Sequence, residues 1–386
     1  MLVRRCAIVM VEPREEEAFD LGSLLAGGAG LARRMRWMAY AAHLDEAVEI
    51  DGEQREALGS ISSQEWIEAG TLPSELAGRM LDRGLLISDC PDDRFRSRDE
   101  AVRTAHWWPL AALAHRHGRW RGLDSVASME AAGMTDIAGL RRRLGTPPPA
   151  VAERVPGERR LRLPHAAHDA LDRHWAARST CRNFDGARAL SRETFALMLQ
   201  RVVMAQASLE REDITFLKKN VASGGGLHPI GTYLLVQRVD GVSPGLYHYH
   251  PVDHALEPLQ APPGSLESLA RRWLSGQHWF ADAPVLVILA ARFARSFWKY
   301  RQHAKAYRAL VLETGHISQA LYLSAHDLGL GAFVTAAINE MDVEADLGMD
   351  PAQESPIAAC GFGWRSQRMQ VPEFDPAGKV WMQAAT

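Results

Sequence analysis

The stretch Arg178-Ser179-Thr180-Cys181-Arg182-Asn183-Phe184 places two arginines around a pair of hydroxyl side chains. Arginines four residues apart can reach the same anion, and neighbouring hydroxyls can donate hydrogen bonds to phosphate or polyol oxygens. A glycine-rich loop, Ser223-Gly224-Gly225-Gly226, follows later in the chain and would let a flat ring lie against the main chain. These two features together predict a pocket for a phosphorylated ligand that carries a planar group.

Length and composition narrow the classes of protein that fit this chain. At 386 residues it exceeds what one hydrophobic core usually holds, so we expect two or three domains. A net charge of −3 gives no overall basic field to attract nucleic acid or an acidic membrane surface. The four cysteines are far apart and form no CxxC pair, which argues against structural zinc or a disulfide framework and favours a reducing, cytoplasmic setting.

The N-terminal apolar run, residues 6–11, is too short for a signal peptide or a membrane-spanning helix, and we predict a strand there. No other window is long and apolar enough to cross a membrane, so neither a membrane nor nucleic acid is expected as a partner.

Residues 1–144 are predicted to form a mainly helical domain with a winged-helix-like part. A helix is expected to begin after Pro73 and to end at Gly84, and residues 85–87 resemble a strand. Such a unit can bind DNA, dock a peptide or serve only as structure. The predicted second helix carries acidic and basic side chains in equal number, which does not favour DNA.

The proline-rich residues 145–164 predict an extended linker, and residues 165–386 are predicted to form a second domain. Helices and strands alternate in it, which gives an α+β or α/β class. The clearest predicted elements are a helix that begins after Ser191, a buried strand at 285–289, a long helix at 307–328, and strands at 332–336 and 357–363.

Two pairs of alternate histidines, His115 with His117 and His248 with His250, could in principle bind a metal ion. On a helix, residues two apart point in different directions, and the second pair has no third ligand at a known spacing. We therefore predict packing roles for these residues and no metal site.

The sequence contains no GxSxG elbow, HExxH motif, Walker loop or Rossmann fingerprint, so hydrolase and kinase functions lose their usual support. The adjacent pair Lys299-Tyr300 supplies two proton-transfer groups whose pKa values a buried site could tune. The alternative from the residues alone is that Lys299 is solvated and Tyr300 packs against the protein.

Six short segments in the second domain occur in the order found in the SagB-type dehydrogenases of the FMN-dependent nitroreductase superfamily, which mature ribosomally made peptides. Residues 178–184 are similar to the family's Arg-Arg-Ser-x-Arg-Asp-Phe segment, and residues 223–229 to its Ser-Ala-Gly-x-Leu-Tyr-Pro loop. The other matching segments are 244–249, 255–259, 298–300 with 307–308, and 315–316 with 328–332. The resemblance implies an α+β, nitroreductase-like fold in which helices flank a mixed central sheet.

The resemblance further implies FMN bound non-covalently at the interface of an intertwined homodimer. It assigns the phosphate, ribityl chain and pyrimidine edge to Arg178, Ser179, Thr180 and Arg182, with Arg365 reaching the phosphate. It assigns the isoalloxazine ring to Ser223, Gly224 and Gly225, with Gly329, Leu330 and Gly331 beside the ring.

In azole-forming relatives a Lys-Tyr pair at this position is catalytic, which here implies Lys299 and Tyr300. One of them would remove a proton from a ring carbon or an α-carbon while hydride passes to flavin N5, and oxygen or another acceptor would reoxidise the flavin. The substrate would be a thiazoline or oxazoline in a precursor peptide, or another peptide site oxidised by two electrons. Other peptide-modifying enzymes are possible partners.

The chain departs from the family pattern at Ser179, where a second arginine is usual, and this removes one charge from the predicted phosphate clamp. Ala336 and Ala337 stand where relatives often have two glycines near the flavin. Two other functions remain open. An NAD(P)H-dependent nitro- or quinone-reductase is disfavoured by the long N-terminal segment, and a flavin-free scaffold subunit of a peptide-modifying complex is an alternative of another class.

Overall fold

The computed structural model describes residues 1–376 and 378–381, which fall into two compact units. The first unit contains residues 1–119, 291–310 and 349–355, and the second contains the remaining described residues. These units differ from the predicted domains 1–144 and 165–386, because two later segments join the first unit and residue 120 already belongs to the second. Residues 145–164 are extended and largely exposed apart from one 3₁₀ turn, Gly157–Arg159.

Strands and helices are interleaved along residues 1–119. The strands are β1 Leu2–Arg5, β2 Val9–Phe19, β3 Leu31–Ala41, β4 Val48–Ile50, β5 Ile67–Glu68 and β6 Leu86–Ser88. The helices are α1 Leu21–Leu25, α2 Gly52–Ser60, α3 Ser74–Asp82, α4 Arg96–Thr104 and α5 Pro109–His117.

The rest of the chain continues this mixture. The helices are α6 Ser125–Ala131, α7 Ile137–Leu144, α8 Ala170–Ala176, α9 Arg192–Val202, α10 Leu266–Trp273, α11 His278–Ala281, α12 Phe293–Lys299, α13 Ala306–Asp327 and α14 Glu340–Leu347. The strands are β7 Ala207–Arg211, β8 Ile214–Lys218, β9 Ile230–Val236, β10 Gly245–His250, β11 Ala255–Leu259, β12 Val285–Arg292, β13 Gly331–Thr335 and β14 Glu354–Gly363.

A long antiparallel hairpin of β2 and β3 occupies much of the first unit, and the prediction of a mainly helical segment missed it. Its charged side chains pair across the strands, as Arg36 does with Glu16 at 2.8 Å and with Glu49 on β4 at 2.5 Å. The prediction of one strand over residues 6–11 was wrong, because Cys6 is buried in the break between β1 and β2. There the main-chain N–H of Cys6 donates to the Leu85 carbonyl at 3.1 Å instead of to a strand partner.

The winged-helix-like part follows the predicted order of helix, turn, helix and strand. Helix α3 begins directly after Pro73, and Gly84 follows its end with φ of 70°. A Cβ at Gly84 would lie 2.9 Å from the ring of Phe95, so both the backbone conformation and the space require glycine here. Strand β6 then pairs antiparallel with β1, as the predicted strand at 85–87 requires.

Aromatic rings from three segments form a cluster in the first unit. The His115 ring stacks on Trp107 at 5.5 Å between centroids, and Trp107 also contacts Phe293 at 4.3 Å and Phe297 at 4.7 Å. His115 Nδ1 lies 3.1 Å from the Tyr307 hydroxyl. The predicted packing role of His115 is therefore confirmed.

A six-stranded sheet in the order β11-β10-β9-β12-β14-β13 forms the centre of the second unit. Strand β12 is buried at every position except Arg292, as predicted for a continuous apolar strand. The long helix α13 agrees with its prediction to within one residue at each end. Phe280 stacks on Phe333 of β13 at 4.0 Å in the core beside this sheet. The α+β prediction is confirmed.

Candidate cofactor site

Residues 178–184 run along the start of strand β13. Thr180 forms a parallel bridge with Ala332, and the Cys181 N–H donates to the Ala332 carbonyl at 2.8 Å. A Cβ at Gly331 would lie 2.6 Å from both Cβ and Sγ of Cys181. Gly331 is thus needed for the close approach of this stretch to β13, and it is buried.

Tyr322 of helix α13 organises the first half of the stretch. Its hydroxyl is 2.9 Å from Thr180 Oγ1 and accepts the Val334 N–H at 3.1 Å, and the Arg178 guanidinium lies 5.3 Å from its ring centroid. Burial raises the pKa of Tyr322, so it remains a neutral phenol at neutral pH. The exposed Arg178 is held over an aromatic face by a cation–π contact, which leaves its N–H donors free to bind an anion.

Arg365, the second residue after the end of β14, contacts the side chain of Ser179. The structure brings these two predicted residues together, because Arg365 Nη2 donates to Ser179 Oγ at 3.2 Å. The other terminal nitrogen of Arg365 forms an ion pair with Glu373, whose side chain is fully buried. The charge of Arg365 is therefore already paired within the chain.

The main chain and the side chain of Arg182 have different surroundings. Its main-chain N–H donates to Glu373 Oε1 at 2.6 Å, and the next N–H, of Asn183, donates to the same oxygen at 3.0 Å. The Arg182 guanidinium is half-buried and has no polar partner within residues 1–376 and 378–381. Its donors remain available for a ligand.

The glycine loop presents main chain without side chains. Residues Gly224–Gly226 form a 3₁₀ turn, with φ of 65° at Gly225 and 69° at Gly226, in the left-handed region that glycine adopts without strain. Gly224 and Gly225 are exposed, and a Cβ at Gly226 would meet nothing within 4 Å. Gly224 and Gly225 thus expose main chain that no side chain of their own covers.

Ser223 lies at the start of this loop, and its hydroxyl donates a hydrogen bond to Glu313 of helix α13. The Ser223 hydroxyl also accepts the His228 N–H at 2.9 Å. His228 Nδ1 lies 3.6 Å from Glu313 Oε1, and both side chains are buried. Ser223, His228 and Glu313 therefore anchor the loop to α13.

Of the three residues predicted beside the ring, Gly329 alone is exposed. It ends helix α13 with φ of 71°, and a Cβ there would meet nothing within 4 Å. Leu330 is buried in the core, and Gly331 packs against Cys181. Ring contact by Leu330 could involve only its main chain.

Lys299 and Tyr300 lie at the end of helix α12, in the first unit, whereas the predicted FMN-binding residues belong to the second unit. Lys299 is exposed, and its Nζ lies 5.5 Å from the centroid of the half-buried Tyr300 ring. The Tyr300 ring is 6.4 Å from the ring of His303. The exposure of Lys299 agrees with the alternative in which this lysine is solvated. Its ammonium also lies near the Tyr300 ring, as a proton-transfer pair requires.

The histidines considered as metal ligands each have another partner. His117 Nε2 lies 3.1 Å from the Ala41 carbonyl, His248 Nδ1 contacts Glu257 at 2.5 Å, and His250 Nδ1 lies 3.1 Å from Asp253 Oδ2. Within the described ranges there is no group of three His, Cys, Asp or Glu residues placed to hold a metal ion. Among those same residues, no helix combines the length and apolarity needed to cross a membrane.

The donor set of the second unit fits FMN. Arg178, Arg182 and Arg365 carry guanidinium groups and Ser179 and Thr180 carry hydroxyls, which are the types of group that suit a phosphate and a polyol. The open main chain at Gly224–Gly226 suits a planar ring. The Glu373 carboxylate on Arg365 opposes phosphate binding at this guanidinium.

Sequence reasoning missed the residues that support this donor set. Tyr322, Glu313 and Glu373 each bond to a predicted residue from a distant part of the chain, which for Glu373 is Arg182. Glu313 gave one usable signal, because it is a lone acidic residue in the largely apolar run of helix α13. Glu373 gave none, since it lies in a segment without helical or strand periodicity.

Comparison with known proteins agrees with these observations. Residues 175–364 match the Nitroreductase family. The family match and the sheet and helices described above confirm the predicted nitroreductase-like fold.

Three relatives match shorter parts of the chain. The Trifolitoxin-processing protein TfxB of Rhizobium leguminosarum bv. trifolii is 35% identical over 150 residues, 37% of this chain and 39% of that protein. A Methanocaldococcus jannaschii protein named as a nitroreductase is 32% identical over 126 residues, 32% of this chain and 61% of that protein. The Microcin B17-processing protein McbC of Escherichia coli is 28% identical over 152 residues, 38% of this chain and 54% of that protein. The chain thus spans between 39% and 61% of these relatives' lengths.

Among solved structures, the E. coli microcin synthetase McbBCD complex with truncated pro-MccB17 bound aligns with a TM-score of 0.49 at 22% identity. The alignment covers 69% of this chain and 94% of that chain.

Proposed function

We propose that this chain, which carries a Nitroreductase-family domain at residues 175–364, is an FMN-dependent dehydrogenase that acts on a ribosomally made precursor peptide. The observation that carries the proposal is its similarity to two proteins named for processing peptide toxins, over 150 and 152 residues. The donor set around Arg178 and the glycine loop support FMN as the cofactor.

Each predicted residue would contribute to FMN binding according to its exposure and contacts. The guanidinium groups of Arg178 and Arg182 keep free donors for the phosphate, and Thr180 is positioned by Tyr322. The exposed main chain of Gly224 and Gly225 would lie against the ring. When bound, FMN would supply a two-electron acceptor.

The geometry of helix α13 supports a homodimer as the form that binds FMN. Tyr322 contacts the phosphate-side stretch through Thr180, whereas Glu313 contacts the ring-side loop through Ser223. Nine residues separate Tyr322 from Glu313, or about two and a half turns, so they lie on opposite faces of the helix. Two copies of the chain would allow the stretch of one copy and the loop of the other to bind the same cofactor.

Lys299 and Tyr300 are the proposed proton-transfer groups. Oxidation of a thiazoline or oxazoline to an azole removes two hydrogens, one as a proton and one as a hydride. The amine of Lys299, once neutral, or the phenolate of Tyr300 would take the proton from the ring carbon, and the hydride would leave to the flavin.

The proposal is tested with a synthetic peptide that contains one thiazoline ring. The purified protein loaded with FMN should convert it to a product lighter by two hydrogens, as measured by mass spectrometry. Heat-denatured protein with free FMN is the control. A peptide of unchanged mass after incubation with flavin-loaded protein would contradict azoline oxidation.

A second function is favoured by the similarity to the M. jannaschii protein named as a nitroreductase. An NAD(P)H-dependent reductase would oxidise NADPH steadily when a quinone is added and would leave the thiazoline peptide unchanged. If the protein neither purifies with the visible absorption band of flavin nor takes up added FMN, the remaining function is that of a flavin-free scaffold subunit.

The proposal includes a cytoplasmic location and association with other peptide-modifying enzymes. All four cysteines are free thiols, which agrees with a reducing compartment. Co-purification with a precursor peptide and its ring-forming enzyme from the native host would test the association.

A further inference from the structure

The C-terminal residues 366–376 and 378–381, here called the C-terminal strap, fold back onto the stretch predicted to bind the FMN phosphate. The Ser366 N–H donates to the Asn183 carbonyl at 2.7 Å. Asn183 Oδ1 accepts the N–H groups of Gln370 and Val371 at 2.7 and 2.8 Å. The strap is thereby fixed to the residue that directly follows Arg182.

Glu373 of the strap places its carboxylate where five donors meet. Oε1 accepts the main-chain N–H groups of Arg182 and Asn183 at 2.6 and 3.0 Å and the Asn183 side-chain amide at 2.8 Å. Oε2 accepts from Arg365 and from the Trp381 indole, the latter at 2.8 Å. The carboxylate is fully buried. Such an arrangement of main-chain N–H groups and a guanidinium is an anion-binding cradle.

These donors include the ones that a phosphate would need. Arg365 is the predicted phosphate ligand from the last strand, and its second terminal nitrogen is bonded to Ser179 of the clamp. A phosphate that uses Arg365 would either displace the carboxylate or lie beside it, and two buried anions in contact repel each other strongly. The carboxylate and the phosphate therefore compete for the same cradle.

We propose that Glu373 is an intramolecular occupant of the phosphate-binding part of the FMN site, so that the cofactor binds only when the strap releases this carboxylate. This inference rests on the proposed FMN dependence. The strap then acts as an autoinhibitory contact: the chain has a closed state with Glu373 on Arg365 and an open state with Arg365 free for phosphate. The measured affinity for FMN is reduced by the fraction of molecules that are closed.

The test compares FMN binding by the full-length wild-type protein, Glu373→Gln and Glu193→Gln. Glu373→Gln keeps the shape of the side chain and removes its charge. Glu193→Gln removes one exposed negative charge from helix α9 of the same unit and serves as the control for net charge. Quenching of FMN fluorescence gives the dissociation constant, and circular dichroism checks that each variant folds.

We expect Glu373→Gln to bind FMN about tenfold more tightly than the wild type, since weaker closure raises the open fraction. Glu193→Gln should bind FMN as the wild type does. Weaker binding by Glu373→Gln would overturn the proposal and would mean that Glu373 orients Arg365 toward the phosphate. Equal binding by all three proteins would overturn it while leaving FMN as the cofactor. If none of them binds FMN, the proposed cofactor fails as well.

Hydrogen exchange on the wild-type protein gives a second measurement that needs no variant. Adding FMN should speed exchange at the N–H groups of Gln370 and Val371, because strap release breaks their bonds to Asn183. Inorganic phosphate at high concentration should produce the same change through the same cradle. Slower exchange at these two positions on FMN binding would overturn the proposal.

Discussion

At the scale of single residues, Gly331 holds two predicted segments at a separation that no larger side chain permits. Its missing Cβ would overlap both Cβ and Sγ of Cys181, and both residues are buried. Neighbouring main-chain bonds fix the position, since the Cys181 N–H donates to the Ala332 carbonyl. The contact cannot relax by moving a flexible side chain.

Gly331→Ala should therefore lower the free energy of unfolding by about 1–3 kcal/mol, the usual cost of an overpacked core. Urea unfolding followed by circular dichroism measures this. Gly78→Ala is the matched control, because Gly78 lies inside helix α3 with nothing within 4 Å of an added Cβ, and alanine should stabilise that helix. If Gly331→Ala were as stable as the wild type, the close packing described here would be incorrect.

Glu313 anchors the glycine loop through a buried hydrogen bond from Ser223 and lies beside His228. Glu313→Leu should destabilise the protein by about 1–3 kcal/mol, because it leaves the partly buried Ser223 hydroxyl without its acceptor. Glu313→Gln keeps an acceptor oxygen and should lose less. Thermal unfolding of both variants measures the difference, and a leucine variant more stable than the glutamine variant would contradict this role.

His115 makes the stability of the first unit depend on pH. Burial, with smaller contributions from Arg119 and Arg116, lowers its pKa from 6.5 to about 3, and its Nδ1 faces the Tyr307 hydroxyl. As pH falls below 6.5 the unfolded chain takes up a proton that the folded chain cannot, so stability decreases from there toward pH 3. The loss is at most about 1.4 kcal/mol per pH unit.

Urea unfolding of wild type and His115→Phe at neutral and mildly acidic pH measures this effect. The phenylalanine variant loses the contact with Tyr307 but should show a weaker pH dependence than the wild type. Some dependence should persist, because burial also lowers the pKa of His43 to about 4. Identical pH dependence in the two proteins would show that His115 is not the titrating group.

At the scale of elements, helix α13 connects the two halves of the candidate cofactor site and also exposes an apolar stripe. Val311 and Leu312 are 48% and 63% exposed, and Gly315 and His316 continue the same face. Exposed apolar side chains with small neighbours on a long helix suit packing against a second helix. This face is where the proposed homodimer would form.

Leu312→Glu should therefore convert the proposed dimer to a monomer, as measured by light scattering coupled to size-exclusion chromatography. The matched control is Leu161→Glu, which introduces the same charge at a leucine that is 91% exposed in the 145–164 segment. The control should keep the wild-type mass. An unchanged mass for Leu312→Glu would place the dimer contact elsewhere.

The elements most accurately predicted from sequence are those that have a clear apolar pattern or are flanked by proline or glycine. Strand β12 is apolar except for Arg292, α13 is long and Gly329 follows its end, and α3 lies between Pro73 and Gly84. The hairpin of β2 and β3 could not be predicted in the same way. Glu15, Glu16 and Glu17 interrupt any apolar alternation in β2. This strand is stabilised instead by charge pairs with β3, a partner that the apolar pattern does not identify.

The candidate site, too, could be predicted from the sequence only in part. Residue types and order predicted the donors Arg178, Ser179 and Arg365, and the structure brings Ser179 and Arg365 together. The partners Tyr322, Glu313 and Glu373 were missed because each contacts a predicted residue, Thr180, Ser223 or Arg182, that is far away in sequence. The sequence singles out the glycines as ring-binding residues, but Gly331 has a packing role that only the neighbouring Cys181 reveals.

At the scale of the whole molecule, the proposed cofactor-binding and proton-transfer residues belong to different compact units. Arg178→Ala should weaken FMN binding by about tenfold or more, since it removes a charge-assisted hydrogen bond. Lys299→Ala and Tyr300→Phe should leave FMN binding unchanged. In at least one of them, thiazoline oxidation should slow by about 10²–10⁴-fold, the usual contribution of a proton-transfer group.

Fluorescence titration with FMN and mass spectrometry of the thiazoline peptide separate these effects. Lys305→Ala, an exposed lysine of the same segment of the first unit, is the control for loss of a positive charge. Full activity in both Lys299→Ala and Tyr300→Phe with FMN bound would remove the pair from the mechanism.

The burial of three of the four thiols has a practical consequence for labelling. Cys6, Cys181 and Cys360 are enclosed, and burial raises the pKa of each to about 12, whereas Cys90 is partly exposed. A maleimide dye should therefore attach at Cys90 in the native wild-type protein without any engineered cysteine. Cys90 lies between β6 and α4, next to the winged-helix-like part, so the fluorescence anisotropy of the dye would test whether a precursor peptide docks there.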